Sequence, residues 1–333
     1  MKRLFTLLFV LWSVPSLAAD CRLDRDDLLS RPAAQAGPTE VYLQSYINDI
    51  IVIRDADQSF QADLFMRIEW DDPRLAHGDA APCSTTFDAI WWPELQPMNR
   101  RNLQQVRDMR PLVASDGRVS LLLRGFGDFS FRANLSDFPF DSQSLGFDLL
   151  SVYSDADIDF VFNPERIVLS DDLSVANFDV SMAGVRVWSE MIKSTGREHA
   201  RFSIELEATR LTGFYTWQQL VPLFLVVLMA WIVFWIPREH VPSRIGLAAT
   251  SMLTLIAYRF AMSSVLPPIA YLTRLDVFMI GASVLVFSAL ATAVAVTYTM
   301  DLVDEALAER INLTARVAAP LLLLLVTWLA FFG

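Results

Sequence analysis

The apolar positions of this chain follow one rhythm up to Leu211 and another beyond it. Between Glu40 and Leu211 they fall in short runs, partly alternating, rich in β-branched and aromatic residues and broken by turn residues. That rhythm predicts strands at Val41–Ile53, Phe60–Trp70, Arg118–Arg124, Phe126–Asn134, Ser144–Leu150, Asp159–Phe162, Ser181–Trp188 and Ala200–Arg210, with Asp116-Gly117 as a turn signal. About ten short strands with few helical runs predict an all-β, immunoglobulin-like sandwich. Beyond Leu211 the apolar residues fuse into four stretches, Phe214–Ile236, Ile245–Leu266, Val277–Met300 and Val317–Phe332, each long enough to cross a bilayer core as a helix. Pro237 and Pro242 are read as ending the first helix and opening a tight loop. Pro267-Pro268 ends the second helix, and Asp301–Arg316 is read as a short connection.

The second apolar stretch holds a finer pattern. Gly246, Thr250, Leu253, Ala257, Phe260 and Ser264 recur at steps of four and three, so they share one helical face. A lipid-facing stripe has no reason to be small and polar at Gly246, Thr250 and Ser264. A water-facing stripe does, and rings of Leu253 or Phe260 can close such a path by dewetting. Close packing of helices through small residues gives the same pattern, so the stripe alone leaves both readings open.

Targeting and charge give the orientation. Lys2 and Arg3, the apolar core Leu4–Val14 and the small-x-small site Ser16-Leu17-Ala18 read as a secretory signal over residues 1–19. The expected domains are then 20–211 outside the membrane and 212–333 within it. Arg238 and Arg244 flank the loop between the first two helices, which places that loop in the cytoplasm and residues 20–211 in the periplasm. Residues 211–333 are balanced, with six Arg and six acids, so the chain's net charge of −11 comes from the extracytoplasmic domain. An acidic domain argues against nucleic acid as a partner. The two cysteines, Cys21 and Cys83, lie in an oxidising compartment, where a bridge between them or two free thiols are the alternatives. Three scattered histidines supply no metal cluster, and Asp155 with Asp157 reads as a solvated loop. No Ser–His–Asp spacing, cofactor motif or Gly-rich phosphate loop is present, so neither an enzyme nor a cofactor is expected.

With these elements in place, a series of motifs resembles the pentameric ligand-gated ion channels, or Cys-loop receptors, and their bacterial members in particular. Trp70-Asp71-Asp72-Pro73-Arg74-Leu75 is similar to the family's W-x-D-x-R-L run. Trp91-Trp92-Pro93-Glu94 followed by Asn99 resembles W-x-P-D…N, and Phe138-Pro139-Phe140-Asp141 resembles the F-P-x-D core of the signature loop. Arg210-Leu211 before Pro222, Pro242-Ser243-Arg244-Ile245-Gly246 with Leu253-Thr254, and Leu266-Pro267 with Tyr271…Asp276 follow in the family's order. The resemblance spans nearly the whole mature chain. It implies a homopentamer of four identical partners around each subunit, with a central pore through the bacterial inner membrane. It also implies passage of inorganic ions, opened by a small-molecule agonist or by protons acting on the periplasmic domain.

The resemblance also assigns residues. The two cysteines that name the family would fall at Phe131 and Leu145, so an apolar pair is expected at the loop base. The aromatic-cage positions fall at Phe65, Met98, Val152 and His199, with Tyr153 beside Val152. One aromatic carbocycle makes no cage, so acetylcholine-like recognition by cation–π attraction is not expected. His199 is a candidate proton sensor, with an exposed surface histidine as the alternative. Gating contacts are expected among Asp55, Phe138, Pro139, Phe140, Asp141, Arg210, Pro267, Pro268 and Arg274, with Asp141 or Asp55 pairing Arg274 or Arg210. Glu239, Pro242, Ser243 and Arg244 are expected at the cytoplasmic mouth. The Pro-small-Arg arrangement resembles anion-selective members and gives an anion reading, against which stand Glu239 and the acidic outer domain. A membrane-anchored sensor without conduction is the rival function. It would need no pore stripe.

Overall fold

The computed structural model describes residues 20–21, 23, 28–32, 37–105, 110–237, 239–263, 267–302 and 304–333. The signal segment 1–19, Arg238 and Ser264 lie outside them.

The N-terminal part is built from eleven strands among the described residues: β1 (Thr39–Arg54), β2 (Ser59–Asp71), β3 (Cys83–Ser84), β4 (Leu95–Pro97), β5 (Arg100–Gln105), β6 (Leu112–Val113), β7 (Arg118–Ser130), β8 (Ser142–Ser154), β9 (Ile158–Leu169), β10 (Phe178–Ile192) and β11 (Arg197–Arg210). Seven form one sheet in the order β3-β6-β7-β2-β1-β9, with β5 also on β7, and four form a second in the order β10-β11-β8-β4. Alternation decides which face is buried: in β11, Phe202, Ile204, Leu206 and Ala208 point into the core. Aromatic rings join the two sheets. Phe60 of the first lies 5.3 Å from Phe147 of the second, and Phe160 lies 6.2 Å from Phe202. Cys21 and Cys83 are joined by a disulfide.

Two strand expectations change. Residues 118–134 do not make two strands: β7 runs unbroken through Gly125, which pairs with Leu64 of β2. A glycine between two apolar runs reads as a break, yet nothing there forces a turn. The pairing of β1 with β9 is parallel, starting at Thr39 beside Ile158, and periodicity within a strand carries no information about it.

Four helices long and apolar enough to cross a membrane follow among the described residues: α1 (Gly213–Trp235), α2 (Val241–Ser263), α3 (Arg274–Leu302) and α4 (Glu305–Phe331). In α1 a single π turn, Thr216–Leu220, precedes Pro222 and absorbs the missing donor. α2 begins at Val241, so Pro242 sits in its first turn rather than closing a loop. The stretch 301–316 is likewise mostly helix. Asp304 caps α4 by accepting from the Ala306 N–H at 3.1 Å. Ala308 and Asn312, one turn apart, are buried, while Glu305, Glu309 and Arg310 face outward. Such an amphipathic start fails a test of mean hydropathy. α3 and α4 approach closely: a Cβ on Gly281 would collide with the Val326 side chain.

Candidate functional site: the open face of α2 and the domain junction

Gly246, Thr250, Leu253, Ala257 and Phe260 are all exposed along one side of α2, Leu253 at 68% and Phe260 at 73%. The opposite side is packed: Arg244, Ala248, Ser251, Leu255 and Met262 are buried. Thr250 donates its hydroxyl proton to the Gly246 carbonyl at 2.8 Å, which leaves oxygen lone pairs directed outward.

Arg244 is the main correction to the expected cytoplasmic mouth. Its side chain is 1% exposed and points away from the stripe. Nε donates to the Val233 carbonyl at 3.3 Å and an Nη to Asn312 Oδ1 at 2.5 Å. Asn312 donates in turn to the Phe234 carbonyl at 3.1 Å, and Arg316 Nε donates to the same oxygen at 2.8 Å. The guanidinium therefore ties α2 to the C-terminal end of α1, where carbonyls carry negative partial charge, and to α4. The signal was present in the sequence: Arg244 stands two residues from Gly246, about 200° around a helix. Glu239, Pro242 and Ser243 are exposed.

At the other end of the membrane helices the sandwich meets them through a buried charge cluster. Arg210, the last residue of β11, has a fully buried side chain. It donates to Asp141 through Nε at 2.8 Å and Nη2 at 2.9 Å, and to Asp55 through Nη1 at 2.8 Å and Nη2 at 2.9 Å. The rings of Phe138, Phe178 and Tyr215 surround it at 4.9, 4.5 and 5.4 Å. Burial opposes the charge most strongly, but hydrogen bonds and charge from Asp141 and Asp55 outweigh it, and the guanidinium pKa is raised. One residue thus joins the β1–β2 turn, the signature loop and the first residues of α1.

Arg274 takes no part in that cluster. Its Nε donates to Asp137 at 2.7 Å and its Nη1 to the Phe331 carbonyl at 2.8 Å. Phe140 lies 5.7 Å from the Phe331 ring, so the signature loop touches the end of α4 as well. Between α2 and α3, Pro267 is buried and Pro268 exposed, and Tyr271 reaches the sandwich, its hydroxyl accepting from the Leu135 N–H at 2.9 Å. The Phe138–Pro139 bond is cis. Phe131 and Leu145 are both buried at the loop base, and Gln143 adds a polar clamp there, accepting from Asn134 N at 3.0 Å and donating to Asn134 O at 2.7 Å. Asp137, Tyr215, Tyr271 and Phe331 join this junction without having been singled out for it.

The expected ligand positions are not gathered within one chain. Met98, Val152, Tyr153 and His199 border the four-stranded sheet, whereas Phe65 belongs to β2 of the other sheet. Met98 and Val152 are exposed apolar residues. Tyr153 packs on Trp91 at 5.4 Å, and burial pushes its hydroxyl pKa up. His199 is not an exposed histidine; it is 5% exposed. Its Nδ1 lies 3.2 Å from the carbonyls of both Ser151 and Tyr153, and Nε2 lies 2.9 Å from Thr195 Oγ1. These contacts tie the β10–β11 turn to β8. Beside Phe65, sequence reading missed Arg124. Its guanidinium lies 4.9 Å from the Phe65 ring centre and is bidentate to the buried Asp63 at 3.1 and 2.8 Å. The hydrogen bond from Arg124 holds the Asp63 pKa below the usual carboxylate range.

Comparison with family models agrees with this layout on both sides of the junction. Residues 21–206 match the neurotransmitter-gated ion-channel ligand binding domain, and residues 219–316 match the neurotransmitter-gated ion-channel transmembrane region. The chain therefore belongs to the pentameric ligand-gated ion channel (Cys-loop receptor) superfamily, whose members are receptor channels and not enzymes.

Proposed function

We propose that this protein is a homopentameric channel of the bacterial inner membrane that passes small inorganic ions when a small molecule or protons act on its periplasmic domain. Residues 20–211 form the ligand domain and residues 212–333 the pore domain. Family membership supports a ligand-gated channel with an extracytoplasmic ligand domain. The observation that carries the conducting reading is the exposed Gly246–Phe260 side of α2, which lies opposite a packed side on the same helix. Five such faces make a path with a Leu253 ring and a Phe260 ring as apolar closures. The agonist site lies between copies, with Met98, Val152 and Tyr153 on one side and Phe65 with Arg124 on the other. Agonist favours the open arrangement through its higher affinity for that state, and the Arg210 cluster carries the shift to α1.

The anion reading came from the Pro242-Ser243-Arg244 arrangement, and a buried Arg244 adds no positive ring to the stripe. Glu239 is exposed at the cytoplasmic mouth, and the outer domain is acidic. We therefore assign cations as the permeant ions. The test is ion flux from liposomes holding the Leu253→Ala chain, which hydrates the apolar ring without requiring the agonist. Flux above that of empty liposomes is expected. Tight liposomes around correctly assembled protein favour the non-conducting sensor.

A further inference from the structure

Arg259 is a charge inside a membrane-spanning helix, and nothing among the described residues accounts for it. It lies within the span Val241–Met262, is exposed, and has no hydrogen bond, ion pair or ring contact among the described residues. A guanidinium at that depth is costly unless it meets water or a polar or π partner. It precedes Phe260 by one residue, about 100° around the helix, so it lies on a flank of the stripe rather than on it. That flank is the α3 side: Arg259 borders a cavity of about 430 Å³ with Met262, Tyr271, Leu275, Asp276 and Met279. Asp276 is engaged elsewhere, accepting from Thr273 N at 3.0 Å and Thr273 Oγ1 at 2.8 Å.

The other flank of α2 is covered by α1, and one bond fixes the relative height there. Tyr258, the residue before Arg259, donates its hydroxyl to the Gln219 carbonyl at 2.8 Å. The first turns of α1 are thus level with Arg259. At that level α1 exposes Trp217, at 73%, and Gln218. A closed ring with the stripe innermost is a head-to-tail assembly, so the α3 flank of each copy abuts the α1 flank of the next.

We propose that Arg259 is completed by the neighbouring subunit: its guanidinium lies over the indole of Trp217 of the next copy, with the Gln218 amide oxygen as hydrogen-bond acceptor. The charge is then shielded between copies, and Trp217, a large apolar surface in one chain, becomes half of a cation–π contact. The proposal rests on the ring arrangement of the proposed function and adds the pair of residues that closes it.

The chain's two cysteines are bonded to each other, so introduced cysteines are its only free thiols. The full chain carrying Trp217→Cys with Arg259→Cys, purified in detergent and treated with a bifunctional thiol-reactive crosslinker, is run on a denaturing gel. A ladder of covalent oligomers is expected, with each single variant running as a monomer. No ladder from double-variant protein whose native mass is that of a ring overturns the contact and leaves Arg259 to lipid phosphate or water, while the ring stands. A single-chain native mass for the unaltered protein overturns the ring and the contact together. If the double variant does not assemble, Gln218→Cys with Arg259→Cys is read in the same way.

Discussion

The two sides of α2 reverse the usual arrangement of a protein surface. The packed side buries an arginine, Arg244, with Ala248, Ser251 and Leu255. The open side displays Leu253 and Phe260, with Gly246 and Thr250 towards its start. Lipid contact explains neither choice: it would favour a continuous apolar cover and gains nothing from a glycine or a hydroxyl. The packed side is fixed by its own chain, through hydrogen bonds from Arg244 to α1 and α4. In the proposed ring the open side is finished by other copies. That reading places stability and conduction on opposite faces of one helix.

Substitutions can break that division, and the domain junction sets the upper end of the scale. Arg210→Met leaves Asp55 and Asp141 buried without their cation. A loss of about 3–5 kcal/mol is expected, read as a lower midpoint of thermal unfolding in detergent. On the packed side of α2, Arg244→Met strips the donors from Asn312 Oδ1 and the Val233 carbonyl, and a loss of about 3 kcal/mol is expected in the same assay. Leu255→Ala opens a cavity among the helices and should cost about 2–3 kcal/mol. On the open side, Leu253→Ala should change stability by no more than about 0.5 kcal/mol in that assay, because the side chain is exposed in its own subunit, while ion flux rises. If Leu253→Ala destabilises the protein as much as Leu255→Ala does, the two sides are not divided as described.

Much of this division was legible in the sequence. The four apolar stretches, the stripe spacing and the motif order all follow from local rules of period and turn chemistry. Asp55, Asp141 and Arg210 were named as gating partners, and the fold brings those three together. What could not be read depends on the third dimension or on treating a charge as surface. The start of α4 was missed because Glu305, Glu309 and Arg310 dominate its hydropathy, although Asp304 is a good cap. Arg244 was placed at the mouth because it flanks the loop read as cytoplasmic; its angle from Gly246 said otherwise. Asp141 or Asp55 was expected to pair with Arg274 or Arg210; the fold gives both to Arg210, while Arg274 meets Asp137 and the end of α4. His199 was weighed as a surface residue, and only the register of β11 against β8 puts it under the hairpin.

The most direct measurement is the reversal potential of the Leu253→Ala current across a NaCl gradient in a planar bilayer or patch. With Arg244 turned away from the stripe and Glu239 exposed at the mouth, the account predicts reversal near the sodium equilibrium potential. Reversal near the chloride potential would contradict the assignment of cations, and no current from assembled protein would contradict the pore itself.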